Sequence, residues 1–246
     1  MGSCDASFKK IICMRIMTKF AENGFDRFRK DEIDWPFNAD FHCWVGINTG
    51  LYPHVLEINP NIGIHSPKIH KLCARLEGCK YDRGIATYPV ILGGIKDIAN
   101  EMAFAFTPDQ SADFVCSEIN RLVQLYVQFG LPYALSIASY DALLPLLKTR
   151  IPRLGGYPEH YACCLYLMGR KEEAYDFCVA SLKKDEPSFE IFGKNFLEMM
   201  RENSNLYLEI RQWLGAMFRH SFQRLGRMRG ISIIGKWKSF CRNPSQ

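Results

Sequence analysis

The feature of this chain that most constrains its fold is a change of hydrophobic period near residue 109. Before it, Phe41, Cys43, Val45 and Ile47 alternate with His42, Trp44 and Gly46, and Leu56, Ile58, Ile62 and Ile64 alternate with Glu57, Asn59, Asn61 and His65. Successive side chains on a strand point to opposite faces of a sheet, so each stretch predicts a strand with one apolar and one polar side. After Asp109 the spacing is helical: Val115, Ile119, Leu122, Tyr126 and Phe129 fall on one face. Strands first and helices after predict an α+β fold, an N-terminal antiparallel sheet with flanking helices followed by an α-helical C-terminal half. The expected divisions are a sheet domain over 1–108, a helical region packed on it over 109–205, and a basic segment over 206–246.

Local signals fill in the outline. Phe8, Ile11, Ile12, Ile16 and Phe20 predict a helix over 7–22, ended by Asn23-Gly24. A short strand is expected from Phe25 to Lys30, and DEIDWPFNAD reads as a polar turn. Pro60 has no amide hydrogen to give a ladder, so its strand must bend, bulge or lie at an edge there. Ser66-Pro67 predicts a helix start, with Ser66 as N-cap and Pro67 at the first helical position. Two more strands are expected at Ile85–Leu92 and Glu101–Phe106. Gly130-Leu131-Pro132 is expected to break the helix that carries Val115 to Phe129. Shorter helices follow near Tyr133–Ala138 and Tyr140–Thr149. A pair over 158–168 and 171–184 resembles one tetratricopeptide-type hairpin, and the next helix aligns Phe189, Phe192, Phe196 and Met199.

With 246 residues, 48% of them hydrophobic, the chain has ample material for a buried core. It holds no run of about 20 apolar residues that would span a bilayer. The start MGSCDASFKK lacks the apolar run of a secretory signal, and Ala6 stands where a myristoylation motif needs Ser or Thr. A soluble, cytoplasmic protein is expected. The ten cysteines form no framework spacing and are expected to be reduced thiols.

Few motifs point to chemistry. His65, His70, Cys73 and Cys79 are dense, but they lack the paired short spacings of a zinc finger or ribbon. No metal and no cofactor is expected. There is no G-x-S-x-G elbow, and Gly93-Gly94-Ile95-Lys96 lacks the leading Gly and the Ser or Thr of a phosphate loop. If the polar faces of the two strands coincide, His42, Trp44, Glu57, Asn59, Asn61 and His65 converge on one side of the sheet. That side would be a solvated face, a partner-binding patch anchored by Trp44, or an acid–base site pairing Glu57 with a His.

Charge is concentrated at the end. Residues 206–246 carry eight Lys or Arg against Glu209 alone, within a whole chain of net charge +5. Arg211, Arg219, Arg224, Arg227, Arg229, Lys236 and Lys238 are interleaved with Trp213, Ile233 and Trp237. Such a segment suits docking on the protein's own body, on a protein partner or on an anionic membrane. Nucleic acid is a further match on charge alone but is not the expected partner.

The succession GFDRFRK, WVGINTG, LEINPNIGIHSPKIHKL and KYDRGIATYPVILGG after an opening helix resembles DUF4304-like immunity proteins, encoded beside polymorphic toxins in bacteria. The resemblance covers residues 7–107. It implies a non-enzymatic protein that binds a cognate toxin, encoded by a neighbouring gene and acting in the cytosol, and neutralises it. The alternatives are an enzyme using a His/Glu pair on the sheet face, and a membrane or protein adaptor working through the basic segment.

Overall fold

In the computed structural model, residues 4–27, 32–81, 91–94, 99, 103–152, 156–184 and 187–202 are described. The chain divides into two compact units, Met1–Phe196 and Leu197–Gln246. The first holds the sheet and the helices discussed below; in the second, residues 197–202 are helical. The seven basic residues from Arg211 to Lys238 lie outside the described residues, as do the adaptor reading that depends on them and the Lys of the glycine turn at 93–96.

The first unit is α+β. Helix α1 (Ala6–Glu22) begins where the Asp5 carboxylate accepts from the Phe8 amide, and it ends at Gly24, whose φ of 86° suits glycine. Six strands follow in one antiparallel sheet: β1 (Asp26–Arg27), β2 (Glu32–Pro36), β3 (His42–Leu51), β4 (Leu56–His65), β5 (Ile91–Gly94) and β6 (Phe104–Phe106). The order is β1-β2-β3-β4-β5, with β6 also on β4. β2 corrects the expectation of a polar turn at DEIDWPFNAD. Ile33 is buried on one side and Asp34 on the other, so this is an alternating strand with an acid buried within it.

The long hairpin β3–β4 is the frame of the sheet. Its register pairs His42 with His65, Trp44 with Gly63, Gly46 with Asn61, Asn48 with Asn59 and Gly50 with Glu57. On its far side β4 meets two separate strands, β6 along Leu56–Ile58 and β5 along Asn61–Ile64. Pro60 falls in the interval between them, where the outer edge has no ladder partner among the described residues.

The apolar face carries Cys43, Val45, Ile47, Leu56, Ile58, Ile62 and Ile64, all buried. Against it lie α1 and α3 (Ala112–Leu125), which also pack on each other. Phe20 of α1 meets Phe25 and Tyr126 edge-on, each at 5.1 Å between centroids, and Phe25 meets Trp35 of β2 at 5.0 Å. Fully burying one such ring contributes about 1.5–3 kcal/mol, so this aromatic chain is a principal tie between helix and sheet.

The chain does not break at Gly130-Leu131-Pro132, which is a second correction. α3 continues through one wide turn, Tyr126–Gly130, directly into α4 (Leu131–Ser136). The Leu131 amide donates to the Tyr126 carbonyl, a bond spanning five residues instead of four. Proline lacks an amide hydrogen and its ring collides with the carbonyl four residues back, and an inserted residue relieves both faults. The insertion also rotates the helix face, so Phe129, expected in the core stripe, is exposed.

The remaining elements follow their sequence signals. α2 (Pro67–Leu76) starts at Ser66, whose hydroxyl accepts from the Ile69 amide. Then come α5 (Tyr140–Arg150), α6 (Pro158–Leu167), α7 (Lys171–Leu182) and α8 (187–196). α6 and α7 form a helical hairpin turning at Gly169, where φ is 80°. Phe189, Phe192 and Phe196 stack along α8 with centroids 5.2 and 5.8 Å apart. No described helix is long and apolar enough to cross a membrane.

Candidate functional site

The polar faces of β3 and β4 do coincide, because directly paired residues of an antiparallel ladder share a side. His42, Trp44, Glu57, Asn59, Asn61 and His65 are therefore all on it, and β2 adds Asp34 and Pro36 through their pairing with Trp44 and His42. This face has two ends of opposite character.

At the His42–His65 end the face is buried. Trp44 is 7% exposed and His65 2%, so of the six residues expected on a partner-binding face these two are closed off from solvent, which corrects Trp44 as its anchor. The Trp44 indole lies over Gly46: a Cβ there would fall 2.1 Å from the ring. A glycine beneath an aromatic ring lets the ring lie flat along the strand, and the ring covers the backbone that glycine leaves bare.

Here the side chains also form a file of imidazoles. The Asp34 carboxylate on β2 accepts from Nδ1 of His42 at 2.8 Å. His42 faces His65 across the ladder at 6.3 Å between centroids. His65 stacks on His70 of α2, 4.4 Å away and 8° from parallel, and His70 meets His160 of α6 edge-on at 5.1 Å. Nδ1 of His70 donates to the Ser66 carbonyl at 2.8 Å, which fixes the tautomer because a carbonyl only accepts. Nε2 of His65 is 3.4 Å from the Tyr81 hydroxyl. Burial first, then His70 and His65, hold the His160 imidazole well below the ordinary histidine range.

The carboxylate that meets a histidine is Asp34, not Glu57. Glu57 and His65 lie at opposite ends of β4, roughly 26 Å apart at a strand rise of about 3.3 Å per residue. The expected Glu57–His acid–base pair is thereby corrected. Sequence reasoning missed Asp34 because Trp35-Pro36 and the flanking acids carry turn chemistry. It missed His160 because nothing local to α6 marks that histidine as a neighbour of His70, 90 positions earlier in the chain. Cys73, weighed with the same histidines as a metal ligand, instead touches Cys163 of α6, sulfur to sulfur at 3.4 Å, and Cys79 is exposed. No group of three or more His, Cys, Asp or Glu among the described residues is placed to hold a metal ion.

At the other end the same face is open. Tyr52, just beyond β3, lays its ring over Gly50, where a Cβ would come within 2.9 Å of Cε2. Gly50 pairs with Glu57, and Asn48 with Asn59 one step further in. Tyr52 is 51% exposed, Asn48 and Asn59 are exposed and Glu57 is half-buried, while Leu51, also exposed, pairs with Leu56 on the opposite side of the hairpin. The turn is held by the Tyr52 amide donating to the Val55 carbonyl, and the Cys4 amide donates to Pro53, tying the chain before α1 to this tip.

A separate cleft of about 570 Å³ lies between the β2–β3 turn and the start of α5, lined by Asp40, Phe41, Ser139, Tyr140, Asp141 and Met168 among others. Its acid Asp40 is already engaged by Lys68 at 2.7 Å and by the Tyr140 hydroxyl at 3.3 Å. These contacts tie the turn to α2 and α5.

The fold and the two-ended sheet face together define an α+β protein with a buried histidine file and an exposed hairpin tip. No protein-family model, no curated protein and no solved structure matches this chain.

Proposed function

We propose that this chain is a non-enzymatic binding protein that recognises a protein partner through the open end of the β3–β4 hairpin. The carrying observation is the cluster there: Tyr52, a large exposed aromatic side chain, set beside Asn48, Asn59 and Glu57 on the two-stranded frame. Aromatic anchors ringed by polar groups are the arrangement that concentrates binding energy in protein interfaces. Combined with the resemblance to immunity proteins, the partner is a toxin encoded by a neighbouring gene and met in the cytosol. Neutralisation is stoichiometric, by occlusion.

Relative to the sequence-level expectation the contact set moves toward the tip. Asn59 and Glu57 stay in it, Asn61 lies at its inner margin, and Trp44 and His65 leave it. Co-expression of the chain with the product of the adjacent gene, followed by affinity measurement, is the test. Tyr52→Ala is expected to weaken the complex by about thirtyfold or more, the scale of one hot-spot side chain, with the thermal midpoint unchanged. Equal binding by the variant, or no binding by the native chain, rejects the reading.

A further inference from the structure

We infer that the file His42–His65–His70–His160 is an acid-operated latch that holds α2 and α6 against the sheet and releases them when the imidazoles of His65, His70 and His160 take up protons. The inference does not depend on the binding role of the hairpin tip and concerns the opposite end of the sheet.

Four of the chain's six histidines stand in this file, and they come from four elements, β3, β4, α2 and α6. Two features make it intolerant of charge. The His65 and His70 rings are in face-to-face contact at 4.4 Å, where a proton on each would place like charges within one ring spacing. His160 closes the file from α6, and its Nδ1 is buried with no hydrogen-bond partner. A second proton on that ring would be buried without an acceptor.

The charged and titratable groups around the file come from every element packed on it. Asp34 of β2 is engaged by His42 at the far end. Tyr81, beside His65, offers a phenol, and Lys71 of α2 lies over the Tyr81 ring at 5.6 Å, adding positive charge. On α6, Tyr157 packs on His160 at 4.9 Å. Glu159 interacts with the thiols of Cys163 and Cys178, and Cys163 touches Cys73 of α2. Tyr140 and Lys68 both hold Asp40 in the adjoining cleft.

Opening returns the His65, His70 and His160 rings to water, where an imidazole titrates near the ordinary value of about 6.5. The open form thus binds protons that the closed form refuses, and acid shifts the balance toward it. One coupled proton changes the open-to-closed ratio about tenfold between pH 7.5 and pH 5.5. Helices α1 and α3 lie against the other face of the sheet and carry none of these rings.

Hydrogen–deuterium exchange of the full chain between pH 7.5 and pH 5.0, corrected for the intrinsic pH dependence of exchange, tests this. Peptides covering 67–76 and 158–167 are expected to lose protection about tenfold or more by pH 5.5, while 6–22 and 112–125 keep theirs. His160→Gln is expected to reduce that loss severalfold. His70→Gln serves as the second variant should His160→Gln not fold. Protection that is unchanged by acid in the native chain overturns the inference. So does protection lost uniformly across all four helices, or an acid loss undiminished in a folded variant.

Discussion

The indole of Trp44 covers Gly46 so closely that a methyl group at position 46 would sit 2.1 Å from the ring. Trp44 is buried and its neighbour Gly63 is part of the same closed surface, so the ring has no free space to enter. Gly46→Ala is expected to destabilise the protein by about 1–3 kcal/mol through overpacking, and to shift tryptophan emission to the red. Urea unfolding monitored by fluorescence measures both.

Gly50 stands in the same relation to Tyr52, yet the outcome there is different. The Tyr52 ring is half in solvent and swings aside at little cost. Gly50→Ala is expected to change stability by less than about 1 kcal/mol, and thermal denaturation of the two alanine variants side by side measures the contrast.

Tyr126 reaches from the wide helical turn to the sheet. Its hydroxyl donates to the carbonyls of Gly46 and Asn61, at 3.3 and 3.2 Å, sharing one proton between paired residues of β3 and β4. Tyr126→Phe keeps the ring and its edge contact with Phe20 and removes only this bond. A loss of about 1 kcal/mol in chemical denaturation is expected, with far-ultraviolet dichroism unchanged.

Stability is expected to fall in mild acid. His160 is held well below 6.5 in the folded chain and returns to about that value when unfolded, so below pH 6.5 the unfolded state binds more protons. Its contribution is fully present above about pH 7. It is lost as the pH falls through 6.5 toward the native value, by about 1.4 kcal/mol per pH unit at most. Urea midpoints at pH 7.5 and 5.5, for the native chain and His160→Gln, measure the difference.

Thiol accessibility separates surface from core. Cys79 and Cys116 are exposed, whereas Cys163 is buried and its thiol is pushed well above the ordinary range by burial and by Cys73. Cys79 and Cys116 are expected to react with a disulfide reagent within minutes in the folded state, and Cys163 only on unfolding. Peptide mapping of the labelled chain measures this.

How much of this was legible in advance follows from range. The alternation at 41–47 and 56–65 placed both central strands, and Ser66-Pro67 placed the start of α2, because these depend on neighbours within one turn or one pleat. β2 was misread because Trp35-Pro36 and the flanking acids carry turn chemistry, which pairing with β3 overrode. Gly130-Pro132 was misread because a proline stops an ordinary helical turn and not one widened by a residue.

The polar side of the sheet shows the limit most plainly. Period-two spacing alone determined that His42 and Trp44 share one side of β3 and that Asn61 and His65 share one side of β4, and the register of the hairpin made the two sides one. Whether that side meets water was decided only when Asp34, His70 and His160 arrived from β2, α2 and α6. Burial is a property of what packs on a residue, and those partners are set by long-range closure of the chain, not by the spacing of side chains along it.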